Sequence, residues 1–204
     1  GETHVYRNDA GVFTDLGPSG LPIGIRAFDV GDYDNDGDPD LVLHQPDPSG
    51  FLPPTIAIYR NDDGAFVDAG ITLAALNGDL RWGDYDADGD LDLAQLGRGT
   101  GPFDSGEVHI YRNDGGVFTD LTPPLPPIHG TAAWADYDAD GDLDLAYNGK
   151  HQVGSDADPV AGVFQNDGGV FVDRDPGMTP LSTAGLFWAD QDNDADLDLY
   201  VVGN

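Results

Sequence analysis

The segment GDYDADGDLDL at residues 83–93 decides the fold of this chain, because it recurs. Its companions are GDYDNDGDPDL at 31–41, ADYDADGDLDL at 135–145 and ADQDNDADLDL at 189–199. The first aspartates are Asp32, Asp84, Asp136 and Asp190, so successive copies lie 52, 52 and 54 residues apart. Each copy gathers five carboxylates that repel one another unless a cation sits among them. A fixed period of this length marks a repeat architecture, here a tandem array of cation-binding units.

Outward from the loop, the flanks read as strands. Arg81–Trp82, Ala133–Trp134 and Phe187–Trp188 precede it, and Leu91-x-Leu93, Leu143-x-Leu145 and Leu197-x-Leu199 follow it. Apolar residues at alternate positions predict half-buried strands. A second motif keeps step with the first: YRNDAGVFTD at 6–15, YRNDDGAFVD at 59–68, YRNDGGVFTD at 111–120 and FQNDGGVFVD at 164–173. Two β-prone runs around Asn-Asp-x-Gly predict a tight hairpin, with Gly, Asn and Asp supplying the positive φ values such turns need. No stretch carries a helical period, and 29 Gly with 15 Pro oppose long helices.

Each repeat therefore holds four short strands: A, the aspartate loop, B, a variable connection, C, the tight turn, and D. Four antiparallel strands at this period predict the blades of a β-propeller. The chain opens on strands C and D (2–16) and finishes on A and B (185–202). The expected fold is all-β, a propeller of four four-stranded blades whose last blade joins those two halves and hides open sheet edges. The B-to-C connections at 44–55, 97–107 and 149–162 are rich in Gly, Pro and Asp and differ from one another. The D-to-A connections are Pro-rich, as in TPPLPPIH at 122–129. The repeat continues in register across both kinds, so residues 1–204 are expected to form one domain.

Composition narrows the function. The net charge is −30, and the loops hold 20 of the 38 acidic residues. The acidity is thus partly ligand chemistry, and it disfavours nucleic acid and anionic membrane surfaces as partners. A halophilic surface would spread its acids without such register. There is no cysteine, which removes disulfides, thiolate metal sites and thiol catalysis. Bound metal is an alternative staple for a secreted protein. No run of 18 apolar residues occurs, so no membrane-spanning helix is expected. No signal peptide is visible at Gly1, and a secreted protein would be represented here by its mature form or a fragment. No Asn-x-Ser/Thr sequon occurs.

In the first loop Asp32, Asp34 and Asp36 fall at positions 1, 3 and 5, Gly37 at 6 and Asp40 at 9. Alternate spacing aims several carboxylates into a curled loop, glycine permits the sharp turn, and a carbonyl near position 7 adds a donor. Hard oxygen ligands in this number suit calcium better than zinc or copper, while magnesium prefers fewer protein ligands and more water. An EF-hand requires glutamate at position 12. Here that position holds Leu43, Gln95, Tyr147 and Val201, without helical flanks. These are loops of the same kind set between strands.

The pairing of a W-[GA]-D-Y-D-x-D-G-D-L-D-L loop with a Y-R-N-D-G-G-V-F-T-D hairpin resembles the FG-GAP/VCBS repeat family, the blades of integrin-α-like propellers. The resemblance extends over four copies and implies one calcium per blade. Carried over by position, the implied ligands are Asp32, Asp34, Asp36, Asp38 (main chain) and Asp40 in the first loop. They are Asp84, Asp86, Asp88, Asp90 (main chain) and Asp92 in the second. They are Asp136, Asp138, Asp140, Asp142 (main chain) and Asp144 in the third, and Asp190, Asp192, Asp194, Asp196 (main chain) and Asp198 in the fourth. Two departures stand out. Family members commonly carry seven or eight blades, and the fourth loop has Ala195 where the others have Gly37, Gly89 and Gly141. If that position needs positive φ, alanine costs about 1 kcal/mol and the fourth site is the weaker. Without the bidentate glutamate, the expected affinity is that of extracellular modules, roughly 10⁻⁴ to 10⁻³ M.

The remaining residues are read as structural. Trp82, Trp134 and Trp188 share one repeat position, as do Tyr6, Tyr59, Tyr111 and Phe164. Both sets are expected to pack between blades, with stacking on a carbohydrate as the competing role. Arg7, Arg60 and Arg112 are expected to pair with nearby aspartates. The five histidines show no zinc spacing, and no Gly-x-Ser-x-Gly element occurs, so no enzymatic activity is expected. The functional expectation is an extracellular or cell-surface, non-catalytic binding or adhesion module that binds up to four Ca2+ and engages a protein or glycan ligand through its variable connections. The competing expectations are a self-associating structural subunit built by blade or strand complementation, and a lectin-like or accessory domain of a secreted enzyme.

Overall fold

The computed structural model of the chain describes residues 3–18, 20–45, 55–74, 76–99, 105–121, 123, 125–153, 156–181 and 184–203. Among these the fold is all-β, with antiparallel sheets that follow chain order. Strands β1 (His4–Asp9) and β2 (Val12–Pro18) form a two-stranded sheet. A four-stranded meander follows, from β3 (Phe28–Gly31), β4 (Asp40–Gln45), β5 (Thr55–Asp62) and β6 (Ala65–Ala74). The next comprises β7 (Asn77–Gly83), β8 (Asp92–Arg98), β9 (Gly106–Asp114) and β10 (Val117–Asp120). The third comprises β11 (Ile128–Ala135), β12 (Asp144–Val153), β13 (Asp156–Asp167) and β14 (Val170–Arg174). A last pair, β15 (Ala184–Ala189) and β16 (Asp198–Gly203), is two-stranded. The A-B-C-D order expected of each repeat is thus present in three sheets, with an aspartate loop joining the first two strands of each.

The hairpins close as their turn chemistry requires. Asp9 faces Val12 and Asp114 faces Val117, leaving two-residue turns. Both turn residues have positive φ, 51° and 92° at Ala10 and Gly11 and 61° and 87° at Gly115 and Gly116. That is the mirror-image turn whose twist matches paired strands. In every copy the preceding asparagine locks it: the Oδ1 of Asn8, Asn61, Asn113 and Asn166 accepts the N–H of Gly11, Gly64, Gly116 and Gly169 at 2.7–2.8 Å.

The chain divides into two compact units, Gly1–Ala75 and Leu76–Asn204. In the first, Leu21, Leu43, Ala57 and Tyr59 form the core, with Ile25, Leu41 and Phe66 against it. In the second, the β11–β14 sheet packs between the β7–β10 sheet and the β15–β16 pair. Ala94, Leu96 and Val108 meet Ile128, Ala132, Leu145, Tyr147 and Phe164 in one apolar layer. Polar contacts tie the layers. Arg81 Nε donates to the Ala132 carbonyl at 2.9 Å, and Asp79 accepts the Ala132 N–H at 3.0 Å. Trp134 Nε1 donates to the Arg81 carbonyl at 3.2 Å, and Trp188 Nε1 to the Ala133 carbonyl at 3.1 Å. Gly83 makes room for this: a Cβ there would stand 2.6 Å from the Trp134 ring. The tryptophans at the shared repeat position therefore serve packing, as expected.

Several expectations need correction. Strands β8 and β12, after the second and third loops, are more than half-buried: in β8 Leu93, Ala94, Gln95 and Leu96 are consecutively buried, so both its faces are covered. For β12 the cause is visible in the layers on either side of its sheet. The connection expected at 149–162 is largely strand, with Gly149 opposite Val160 and Val153 opposite Asp156. Residues 46–54 and 100–104 of the other two connections lie outside the described residues. Tyr6, expected in a core, is 58% exposed, whereas Tyr111 at the same repeat position is 3% exposed. The physical difference is that Tyr111 sits in a four-stranded sheet and Tyr6 in a bare hairpin.

Candidate metal centres in the aspartate loops

The second loop shows how five aspartates divide their work. Asp84 accepts the N–H groups of Asp88 and Gly89, both at 3.1 Å, curling the loop around its first carboxylate. Asp88 accepts the Asp90 N–H at 2.9 Å. Asp90 turns outward and accepts the Gly115 N–H from the hairpin turn at 2.7 Å. Asp92 is fully buried and spans two segments, accepting the Tyr85 N–H at 3.0 Å and the Asn113 N–H at 2.8 Å. Asp86 points inward, and its Oδ1 is buried without a hydrogen-bond partner.

The curl needs left-handed backbone twice. Position 4 is Asn35, Ala87, Ala139 or Asn193, with φ from 55° to 60°. Position 6 is Gly37, Gly89 or Gly141 near 100°, and Ala195 at 76°. Ala195 therefore does occupy a positive-φ position, as the sequence implied.

The first and third loops repeat the plan. Asp32 and Asp136 cap their loops at 3.0–3.1 Å. Asp38 accepts from Asp63 and Asp142 from Gly168. Asp40 accepts from Tyr33 and Asn61, and Asp144 from Tyr137 and Asn166. In the third loop Gln165 also donates to Asp138 at 2.6 Å. The fourth loop keeps the local part: Asp190 caps Asp194 and Ala195, Asp194 accepts from Asp196, and Asp198 accepts from Gln191.

Carboxylate oxygens converge in all four loops, within 4.8 Å of one another. The groups are Asp32, Asp34 and Asp36; Asp84, Asp86 and Asp92; Asp136, Asp138 and Asp144; and Asp190, Asp192 and Asp194. Each can hold a metal ion. Asp40, Asp88, Asp140 and Asp198 lie outside these groups of three. The side chains of Asp38, Asp90 and Asp142 serve the hairpin, which leaves only their main chain for the role expected of them.

Electrostatics in the loops favours a cation. Burial pushes the Asp92 carboxyl up to about 7 and that of Asp144 up to about 6, and it raises Asp40 as well. Burial followed by the neighbouring Asp88 raises Asp86, and burial followed by Asp36 raises Asp34. Such carboxyls take up a proton unless a positive charge holds them ionised. Four hard oxygen sets, one with a buried oxygen lacking any partner, fit a hard divalent cation.

Sequence reasoning passed over the hairpin asparagines. Asn61, Asn113 and Asn166 donate their backbone N–H to the ninth-position aspartate, and their Nδ2 to the carbonyls of Pro39, Leu91 and Leu143. The signal was present, since asparagine recurs at this position in every copy, in step with the loops. The arginines pair as expected, Arg7 with Asp9, Arg60 with Asp62 and Arg112 with Asp114 at 2.6–2.9 Å. Among the described residues no helix is long and apolar enough to cross a membrane.

No curated protein matches the chain. Residues 98–147 match the family model described as an FG-GAP-like repeat. The matched segment runs from the end of β8 through the β9–β10 hairpin and β11 to the third aspartate loop and the start of β12, so it contains the pairing of hairpin and loop that carries the resemblance to FG-GAP/VCBS repeats.

Proposed function

We propose that the protein is an extracellular, calcium-stapled β-propeller of four blades that acts as a non-catalytic binding or adhesion module. Its last blade would combine the two-stranded sheets β1–β2 and β15–β16, which carry the C–D and A–B halves of a repeat. The observation that carries the calcium reading is the buried Asp86 Oδ1 without a partner, set among converging carboxylates. Calcium would supply the positive charge that these carboxylates lack. The aspartate side chains at loop positions 1, 3, 5 and 9, with the main chain at position 7, would form its ligand set. The binding role draws support from the FG-GAP-like repeat at 98–147 and from the variable connections, which would present a protein or glycan ligand with a different surface in each repeat.

The test is a thermal unfolding series on chelated protein titrated with calcium. A hundredfold excess over Kd adds about 2.7 kcal/mol per occupied site, so the midpoint should climb over the millimolar range. Magnesium should raise it less, because it keeps more of its water. A midpoint indifferent to both ions would end the calcium reading.

The bare first hairpin favours a second reading, self-association. Tyr6 and Phe13 are 58% and 68% exposed there, while Tyr111 and Phe164, the counterparts of Tyr6, are buried, and Phe118 and Phe171, the counterparts of Phe13, are partly buried. A hairpin donated to a neighbouring copy would bury them. Negative-stain imaging in millimolar calcium and after chelation separates the readings: small discrete rings fit closure within one chain, whereas larger rings or filaments fit exchange between chains.

A further inference from the structure

The second and third loops are joined by an unbroken hydrogen-bonded path. Asp92 Oδ2 accepts the Tyr85 N–H at 3.0 Å. The carbonyl of the same Tyr85 accepts from Asn166 Nδ2 at 2.8 Å. The Asn166 N–H then donates to Asp144 Oδ1 at 2.8 Å. Asp92 belongs to the ligand group of the second loop and Asp144 to that of the third. All four residues of the path are buried. The Tyr85 and Phe171 rings, 5.5 Å apart, hold the same junction from its apolar side.

We propose that cation binding at the second and third loops is coupled through Asn166, so that filling either site tightens the other. The proposal rests on the cation reading of the loops. A cation on Asp92 fixes the carboxylate whose Oδ2 holds the Tyr85 N–H. Held at its N–H, the Tyr85 backbone presents the carbonyl of its next peptide to Asn166, and the anchored Asn166 presents its N–H to Asp144. The third loop then has less left to order when its own cation arrives, which is positive cooperativity without a change of fold. Linkage makes the effect equal in both directions. Burial strengthens each joint, since no water competes for the donors.

The experiment is a calcium titration of the full chain followed by amide spectra. The Gly89 and Gly141 amides report the second and third loops, because each donates to the first aspartate of its own loop at 3.1 Å. Asp86→Asn disables the second site. The Gly141 midpoint should then move to calcium concentrations higher by about fivefold or more, a typical coupling. Asp138→Asn should move the Gly89 midpoint by the same factor. In an Asn166→Ala background the displacement should shrink to less than about twofold. Should that variant fail to fold, Asn166→Asp retains the acceptor for the Gly169 N–H and removes the donor to Tyr85. A Gly141 midpoint unmoved by Asp86→Asn overturns the coupling, as does an equal displacement with and without Asn166. If neither amide responds to calcium in the unaltered chain, the cation reading itself falls and the coupling with it.

Discussion

The third and fourth loops share one local geometry and differ in everything around it. In both, the first aspartate caps two N–H groups and the sixth residue has positive φ. Yet Asp144 is fully buried and accepts from both its own loop and a hairpin, whereas Asp198 is exposed and accepts from Gln191. The cradle is therefore a property of eleven local residues. Its electrostatic character comes from elsewhere, from the C strand β13, which pairs with β12, whereas β16 pairs only with β15 among the described residues. Burial raises Asp144 to about 6 because β13 covers it.

The strongest test of that comparison removes the two carboxylates. Asp144→Ala strands two N–H donors in the core and should cost about 3 kcal/mol in urea unfolding of the chelated protein. Asp198→Ala, at the open loop, should cost less than about 1 kcal/mol. Equal costs would show that the clasp contributes nothing. The same contrast applies to the hairpins. Asn166→Ala loses donors to Tyr85 and Leu143 as well as the turn lock, and should cost about 2 to 3 kcal/mol. Asn8→Ala, in the exposed hairpin, should cost about 0.5 to 1 kcal/mol.

Acid should discriminate covered strands from open ones. His44 is buried on β4, four residues beyond Asp40, and burial followed by Arg26 lowers it to about 4. The folded value lies below the unfolded one, so the neutral ring stabilises the fold. That stability is complete above the unfolded value near 6.5 and is lost as pH falls toward 4. In saturating calcium, unfolding free energy should drop by about 2 kcal/mol between pH 7.5 and 5 on this account, and His44→Leu should flatten the slope. The corresponding residue on β16 is the exposed Val202, which has no such response. The smallest effect concerns the sixth position. Ala195→Gly should stabilise by about 1 kcal/mol and Gly141→Ala should destabilise by a similar amount, as read by thermal midpoints. A neutral Ala195→Gly would mean that the fourth loop relaxes freely at φ 76°.

Much of this was legible in the chain because it is encoded locally. Alternate aspartates, a sixth-position glycine and an Asn-Asp-x-Gly turn each dictate the backbone of a few adjacent residues, and the strands followed from their flanks. Burial was less legible, because it depends on layers that the period cannot reveal. Leu93 to Leu96 looked half-buried and proved buried on both faces. The extension of the third repeat's B and C strands through 149–162 hid in a stretch of Gly, Asp and Pro, since backbone pairing there does not need an apolar alternation. The resemblance marked Asp90 as a main-chain position, but not what its side chain does: it accepts from the hairpin turn, while the Asp86 Oδ1 stays buried without a partner.

The frame of the matched repeat carries a consequence for how such a chain can grow. Residues 98–147 take their hairpin from one sheet and their aspartate loop from the next. A segment copied in that frame would be offset by two strands from the unit of packing. Such a segment stitches neighbouring sheets together covalently, and its aspartate loop takes its clasp from the hairpin that follows it. A duplication or deletion in that frame leaves every interior sheet with one hairpin and one loop, donated by consecutive segments. The number of repeats can change in one genetic step without orphaning a single interior carboxylate.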